Sequence, residues 1–374
     1  MSANKKFLGI IFSNMHDSCI TDLTKNRTMG SVLFGGRYRL IDFPISNMVN
    51  SGVDEVGVIT KSNYQSLLDH LGSGREWDLS RKRGGLHLLP PFSNNSSGMY
   101  RGRLEALYGI YDFINGSDAD YVVMSDCDVV TNMNIENIID RHIDTKADIT
   151  IVYARDVLQL EQAQHSTVLG IDEDERVYDV LLRPQLSGAC NLSLNMYVIG
   201  REFLKNIILE TASRSLFSFE QDIIQARRNE YKIMGYKHEG YYTKITSMDT
   251  YFKANMSLLN TENRNKLFVS ISPIYTKVRD NPPAKFGIGA SVKNSLIADG
   301  CIIEGTVENS ILFRGVRVGK GACVRNSIIM QNGSIGRKSD VNYIITDKNV
   351  VINEFKILTG SQNHQLFIGK NVVI

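Results

Sequence analysis

Ile297-Ala298-Asp299-Gly300-Cys301-Ile302-Ile303-Glu304-Gly305 holds the pattern that decides the fold of the C-terminal part of this chain. Aliphatic residues recur about every five or six positions, with Gly, Asp and Glu between them. The spacing continues on both sides. Ile288, Val292, Ile297, Ile302, Val307, Leu312, Val318, Val324, Ile329, Ile335, Val341 and Ile345 form one row, and no helical period survives from Phe286 onward. This is a hexapeptide-type repeat, in which each aliphatic points into a narrow solenoid core and small residues turn the corners. An antiparallel sandwich of short strands is the competing reading. The unbroken length of the row favours a parallel β-helix over residues 286–374.

Upstream, Asn281-Pro282-Pro283 marks a change of texture, and 262–285 reads as a linker. Residues 1–261 alternate short apolar runs with helical patterns. Phe7–Phe12, Glu55–Thr60, Tyr121–Ser125, Ile149–Tyr153 and Leu194–Ile199 are apolar nearly throughout, which predicts strands covered on both faces. Arg103–Ile114 carries Leu104, Leu107, Tyr108, Tyr111 and Ile114 at helical spacing, and Phe219–Asn229 and Met248–Leu259 have similar character. Strand–helix alternation predicts an open, mostly parallel α/β sheet with ligands at the carboxyl ends of its strands.

Composition narrows the function. Lys+Arg 42 against Asp+Glu 40 leaves a net charge of +2, so bulk electrostatics favour neither nucleic acid nor a membrane surface. The five cysteines are far apart with no CxxC pair, against a zinc ribbon or disulfide framework. Phe7–Phe12 is too short for a signal sequence and no apolar run approaches a membrane span, so a cytoplasmic, two-domain protein is expected.

Ser13–Ile20, after the first strand, contains no glycine, although backbone amides that cradle phosphates usually need one there. Asp17 adds a negative charge where a phosphate tail would lie, and like charges about 4 Å apart repel by roughly 4 kcal/mol at an intermediate dielectric. Ser125-Asp126-Cys127-Asp128 places carboxylates at a strand's carboxyl end, suited either to a divalent metal or to capping a turn. His16, His70, His87 and His165 read as isolated surface histidines. Cys127 reads as a buried structural thiol, and Arg75–Arg83, with Trp77, as a mobile basic loop.

Several runs together resemble the bacterial ADP-glucose pyrophosphorylase (glucose-1-phosphate adenylyltransferase) family. They are Phe34-Gly35-Gly36-Arg37-Tyr38-Arg39-Leu40-Ile41-Asp42-Phe43, Ser46–Gly52, Tyr100-Arg101-Gly102, Pro282-Pro283-Ala284-Lys285-Phe286 and Asn309–Val316. The resemblance implies a nucleotidyltransferase (Rossmann-like) domain followed by a left-handed parallel β-helix. It also implies chemistry that joins glucose 1-phosphate to ATP, releasing pyrophosphate.

The departures from that family matter as much. Its glycine-rich loop corresponds to Ser13–Ile20, with Cys19 at the catalytic arginine position, and its next catalytic lysine falls at Met29. One metal aspartate matches Asp128, but the second falls at Lys244, and the sugar-phosphate lysine falls at Arg183. Adenylyl transfer needs a bridging metal and cations on the departing pyrophosphate. Removing any one such interaction costs on the order of 10²–10³ in rate. The resemblance therefore points to the regulatory, non-catalytic type of subunit. Such a chain needs no cofactor of its own, leaves Mg²⁺ to a catalytic partner and assembles with it as a hetero-tetramer. Tyr100, Arg101, Gly102 and Arg183 keep part of the substrate side. Arg27 and Arg39 match basic positions where the family binds phosphorylated effectors; solvated ion pairs are the alternative for both. An active nucleotidyltransferase with an atypical phosphate loop remains the competing function. A hexapeptide acyltransferase is disfavoured, because His364 is the sole histidine after Asn281 and lies past the regular repeats.

Overall fold

A computed structural model describes residues 5–91 and 100–374. Its first part is a nine-stranded sheet built from β1 (Phe7–Phe12), β2 (Glu55–Ile59), β3 (Gly85–Leu89), β4 (Tyr121–Asp126), β6 (Ile149–Leu158), β7 (Thr167–Ile171), β8 (Val177–Leu182), β9 (Gly188–Gly200) and β10 (Ile233–Lys237). β5 (Val129–Thr131) pairs separately, antiparallel, with β11 (Tyr242–Lys244). The order β8-β7-β9-β4-β1-β2-β3 puts β1 between β4 and β2, and β4-β1-β2-β3 is parallel throughout. β9 runs antiparallel to both β4 and β6.

The continuous apolar runs are explained by burial on two faces. Leu8, Ile10 and Phe12 of β1 enter one core, and Ile11 enters the other. Successive strand side chains point to opposite faces, so a strand covered by helices on both sides must be apolar at every position. The predicted helix over Arg103–Ile114 is two helices, α2 (Arg103–Gly109) and α3 (Tyr111–Gly116), after α1 (Asp42–Asn50). The backbone leaves helical geometry at Ile110, between the two helices; Leu104, Leu107 and Ile114 are buried and Tyr108 is half-exposed. Phe219–Gln225 is a π-helical turn.

From Lys285 the chain winds as a parallel β-helix whose three faces are five-stranded parallel sheets. Val307, Leu312, Val318, Val324, Ile329, Ile335 and Val341 fill its core as expected. Other members of the row differ. Ile288 is fully exposed and Val292 partly so, because they belong to the first coil and have no coil beneath them. Ile303 rather than Ile302 points inward, in register with Val318. Ile345 aligns with Ile328, itself stacked on Ile311, and this outer column packs into the core of the N-terminal domain.

The two parts share that core. Tyr251, Phe252, Leu258 and Ile274 lie in the same buried cluster as Ile311, Phe313, Ile328 and Met330. The connecting segment opens within the helix Thr261–Leu267 and buries Leu267 and Ile274. The 75–83 segment is anchored rather than free, since Trp77 is buried edge-on against His70. No helix among the described residues is long and apolar enough to cross a membrane.

Candidate functional site

The carboxyl ends of β1 and β4 meet where an open α/β sheet presents its ligand crevice. In this chain the crevice holds a network of the protein's own charges. Asp126, the last residue of β4, accepts from both Arg103 nitrogens, Nη1 at 2.7 Å and Nη2 at 3.0 Å. Arg103 comes from the first turn of α2, stacks over the Phe12 ring with its guanidinium carbon 4.4 Å from the centroid, and also pairs with Glu220 at 2.8 Å. His16 Nε2 lies 2.7 Å from Asp126 Oδ2 and 3.6 Å from Asp128 Oδ2. His16 is therefore a member of this cluster and not an isolated surface histidine.

Asp128 is equally enclosed. Asn195 Nδ2 donates to its Oδ2 at 2.8 Å. Asn195 sits in mid-strand β9 with φ +54°, a left-handed backbone that aims its carboxamide at the cluster. Lys244, at the end of β11, stands with Nζ 3.8 Å from the same oxygen and donates to Ser193 O at 2.7 Å. Three carboxylates (Asp126, Asp128, Glu220) thus face three cations (Arg103, Lys244 and protonated His16).

Burial alone would lower the His16 pKa, but the Asp128 charge and the Asp126 hydrogen bond outweigh it and hold it well above the usual histidine value. Burial would raise the Asp126 carboxyl, and the Arg103 charge followed by His16 drives it well below the usual carboxylate range. Cys127, between the two aspartates, is buried, and burial pushes its thiol well above the ordinary value.

The ligand atoms of His16, Asp126 and Asp128 lie within 4.8 Å of one another. A Mg²⁺ ion nevertheless does not fit here. It needs a near-octahedral shell of oxygens, and this site supplies donor-only nitrogens from Arg103 and Lys244 against carboxylates already compensated. Asp128 Oδ1 is the one buried carboxylate oxygen of Asp126 and Asp128 without a partner.

The glycine-free loop closes in the same manner. Asp17 Oδ1 accepts the Met29 amide at 2.7 Å and Oδ2 accepts from Asn14 at 2.8 Å, so a side-chain carboxylate takes the amide that an anion would need. Burial raises the Asp17 pKa to about 6. Cys19, half-buried, lies in the short 3₁₀ turn Asp17–Ile20, and Met29 is buried.

On the substrate side, Gly102 caps α2 in close contact with the chain opposite: a Cβ there would come within 2.2 Å of the Phe217 carbonyl oxygen. Arg101 is exposed and paired with Glu105, Tyr100 packs half-buried, and Arg183 is exposed with φ +50°. A cavity of about 180 Å³ is bounded by Lys244, Ser166, Leu192, Thr246 and Lys253.

Arg27 and Arg39 lie at the junction with the β-helix. Arg27 is buried and its Nη2 donates to both oxygens of Asp347, at 2.8 and 2.6 Å, so it is a buried cross-domain ion pair and not a solvated one. Arg39 donates to the Ser66 carbonyl and, at 3.0 Å, to its hydroxyl. It lines a small cavity of about 20 Å³ together with Arg37, Arg279, Arg314, His70 and Gln331. Burial and the neighbouring Arg27 and Arg279 charges lower its pKa to about 10.

His16, Arg103, Asn195 and Glu220 belong to the charge cluster of the candidate site, and Arg37, Arg279 and Arg314 line the junction cavity; motif reading singled out none of them for these places. Asn195 alone left a trace, a polar residue inside the apolar run of β9.

Comparison with known proteins accords with this architecture. The nucleotidyl transferase family profile matches residues 18–261, and that of the GlmU-like C-terminal hexapeptide matches 282–365. The chain is 34% identical to a glucose-1-phosphate adenylyltransferase of Clostridium perfringens over 89% of its own length and 85% of the relative's. It is 33% identical to the glycogen biosynthesis protein GlgD of Bacillus subtilis over 99% and 97% of the two chains. A third relative, the glucose-1-phosphate adenylyltransferase of Geobacillus stearothermophilus, is 35% identical over 86% and 84%. With a sheet domain and a hexapeptide β-helix in the same order, the chain belongs to the bacterial glucose-1-phosphate adenylyltransferase family of nucleotidyl transferases.

Proposed function

We propose that this chain is a regulatory, catalytically deficient subunit of glucose-1-phosphate adenylyltransferase. It acts in the cytoplasm within a hetero-tetramer, where it modulates the ADP-glucose synthesis of a catalytic subunit for glycogen formation. The observation that carries the reading is the Asp126–Asp128 cluster, whose carboxylates are compensated by Arg103, His16 and Lys244 of the same chain. Phosphoryl chemistry depends on cations that are free to meet the substrate's phosphates, and here they are engaged by internal carboxylates. The Mg²⁺ of the reaction belongs to the catalytic partner.

The surviving binding capacity lies at the domain junction, where Arg39, Arg37, Arg279 and Arg314 converge on one cavity. Guanidinium groups that outnumber the carboxylates around them, Asp299 beside Arg314 and Asp42 beside His70, suit a phosphorylated metabolite. An effector bound there touches both domains, so it can bias the interface through which subunits communicate; such couplings are typically about 1–3 kcal/mol.

The deciding experiment measures ADP-glucose formed from ATP, Mg²⁺ and glucose 1-phosphate by this chain, by a catalytic subunit, and by their mixture. Silence alone with an altered rate or effector response in the mixture supports the proposal. Turnover alone at the catalytic subunit's rate overturns it in favour of an active enzyme with an atypical loop, a reading to which the unpartnered Asp128 Oδ1 and the cavity beside Lys244 lend support.

A further inference from the structure

Lys244 touches Asp128 and also lines the cavity of about 180 Å³, and of the charge-cluster residues it alone does so. The cavity is therefore a separate chamber with Lys244 as the common wall. Its apolar wall is Leu192 of β9, packed with Leu158 and Ala163 in a small cluster apart from the large cores. Most of the remaining lining is polar. Ser166 presents a buried hydroxyl that donates to the Gln162 carbonyl at 2.8 Å and keeps its acceptor lone pairs. Thr246 is only 5% exposed, and its hydroxyl has no hydrogen-bond partner. Its amide donates to Thr250 Oγ1 at 2.9 Å, which fixes the residue in place. A buried hydroxyl without a partner is costly, and a ligand oxygen in the chamber would supply one.

Charge and size restrict what can enter. Lys244 is compensated by Asp128, and Lys253 pairs with Asp249 at 2.7 Å, so each lysine of the lining is already matched. Asp156, exposed at the rim, accepts the Tyr242 hydroxyl and adds a negative charge that a phosphate would have to approach. An engineered apolar cavity of about 150 Å³ takes one benzene ring, so about 180 Å³ accommodates a single six-membered ring with its substituents. We propose that this chamber binds one uncharged, polyhydroxylated six-membered ring, a monosaccharide or a cyclitol. The apolar face of the ring rests on Leu192, and its hydroxyls bond Thr246, Ser166 and Lys244. The site requires neither the regulatory role nor adenylyl transfer, and its charge balance selects against a sugar phosphate.

The test is ligand-observed NMR titration of the full-length protein with D-glucose, myo-inositol and glucose 1-phosphate, with Tm measured for each variant. The wild type is expected to bind at least one neutral ring saturably, with a Kd of about 1–10 mM, and the two rings tell a sugar site from a cyclitol site. Thr246→Val keeps the shape and removes the hydroxyl. It is expected to weaken that binding by about three- to tenfold while Tm equals or exceeds that of the wild type, because no internal side-chain hydrogen bond is lost. Thr246→Ser is expected to stay within about twofold of the wild type. Binding of the neutral ring that Thr246→Val leaves unchanged would place the ligand elsewhere and overturn the site. Equal weakening of glucose 1-phosphate by the same variant would overturn the ligand class, since the chamber would then be receiving an anion. If neither neutral ring binds the wild type, the chamber holds only water and the proposal falls. Should Thr246→Val fail to fold by circular dichroism, Ser166→Ala decides by the same binding criteria.

Discussion

Lys244 Nζ stands 3.8 Å from Asp128 Oδ2, which places an ammonium group against the carboxylate just beyond the end of β4. Both side chains are almost fully buried, so neither can turn to water for its compensation. Replacing Lys244 with Met leaves Asp128 with one fewer cation and is expected to destabilise the fold by about 3–5 kcal/mol. Urea unfolding monitored by circular dichroism measures it. In parallel, Mg²⁺ added to the wild type is expected to leave Tm unchanged, because a ligand stabilises only by binding the folded state. A rise in Tm that saturates with Mg²⁺ would contradict the charge-compensated reading of the site.

Asp17 yields a pH-dependent prediction. Its folded pKa is raised to about 6, chiefly by burial, against an unfolded value near 3.8. Between those values the folded chain binds more protons than the unfolded one, so stability rises as pH falls from 6 to 4. The ionised carboxylate is thus a cost above pH 6, on the order of 2–3 kcal/mol. Asp17→Asn keeps an oxygen for the Met29 amide and removes the charge. The variant is expected to be more stable than the wild type at pH 7.5, with the difference gone near pH 4.

Lys348 titrates in the opposite range. With its folded pKa lowered to about 7 from 10.5, the unfolded chain binds the extra proton between those values and stability rises with pH across that window. The penalty is fully present below pH 7. Lys348→Met should therefore be more stable than the wild type at pH 6.5, and its advantage should fade as pH approaches 10. A constant difference across that range would mean that Lys348 keeps an ordinary pKa.

Gly102 tests the closeness of packing at the start of α2. Since a Cβ would approach the Phe217 carbonyl oxygen to 2.2 Å, Gly102→Ala is expected to displace one backbone and destabilise by about 1–3 kcal/mol. Because Arg103 follows directly, the variant should also disturb the Arg103–Asp126 pair; a Tm equal to that of the wild type would refute the contact.

Legibility from sequence was uneven for physical reasons. Phe7–Phe12 was readable to the residue, since a doubly covered strand has to be apolar throughout. The hexapeptide period was readable too, but its phase was not. Ile302 and Ile303 are adjacent aliphatics, and which of them faces inward is decided by stacking on Val318 in the next coil. The Arg103–Ile114 stripe hid its break at Ile110, where the helix ends and restarts. At the site, the missing loop glycines and Lys244 stood out as departures from a motif. His16 and Arg103 did not, because nothing local distinguishes a surface histidine or helix arginine from one buried against a carboxylate.

The sequence by itself determined the two-part architecture, the order of its domains and the absence of a glycine loop after β1. Those properties follow from periodicity and residue type over a few neighbouring positions, where strand alternation and turn chemistry act. Only the tertiary structure decided how charges are disposed of. Arg103 meets Asp126 across 23 residues of sequence and Arg27 meets Asp347 across 320. The strength of each pair depends on exclusion of water, which no local pattern encodes. Folding brings the buried carboxylate of Asp347 to Arg27, and so decides that Arg27 ties the two domains together while Arg39 is buried against Ser66.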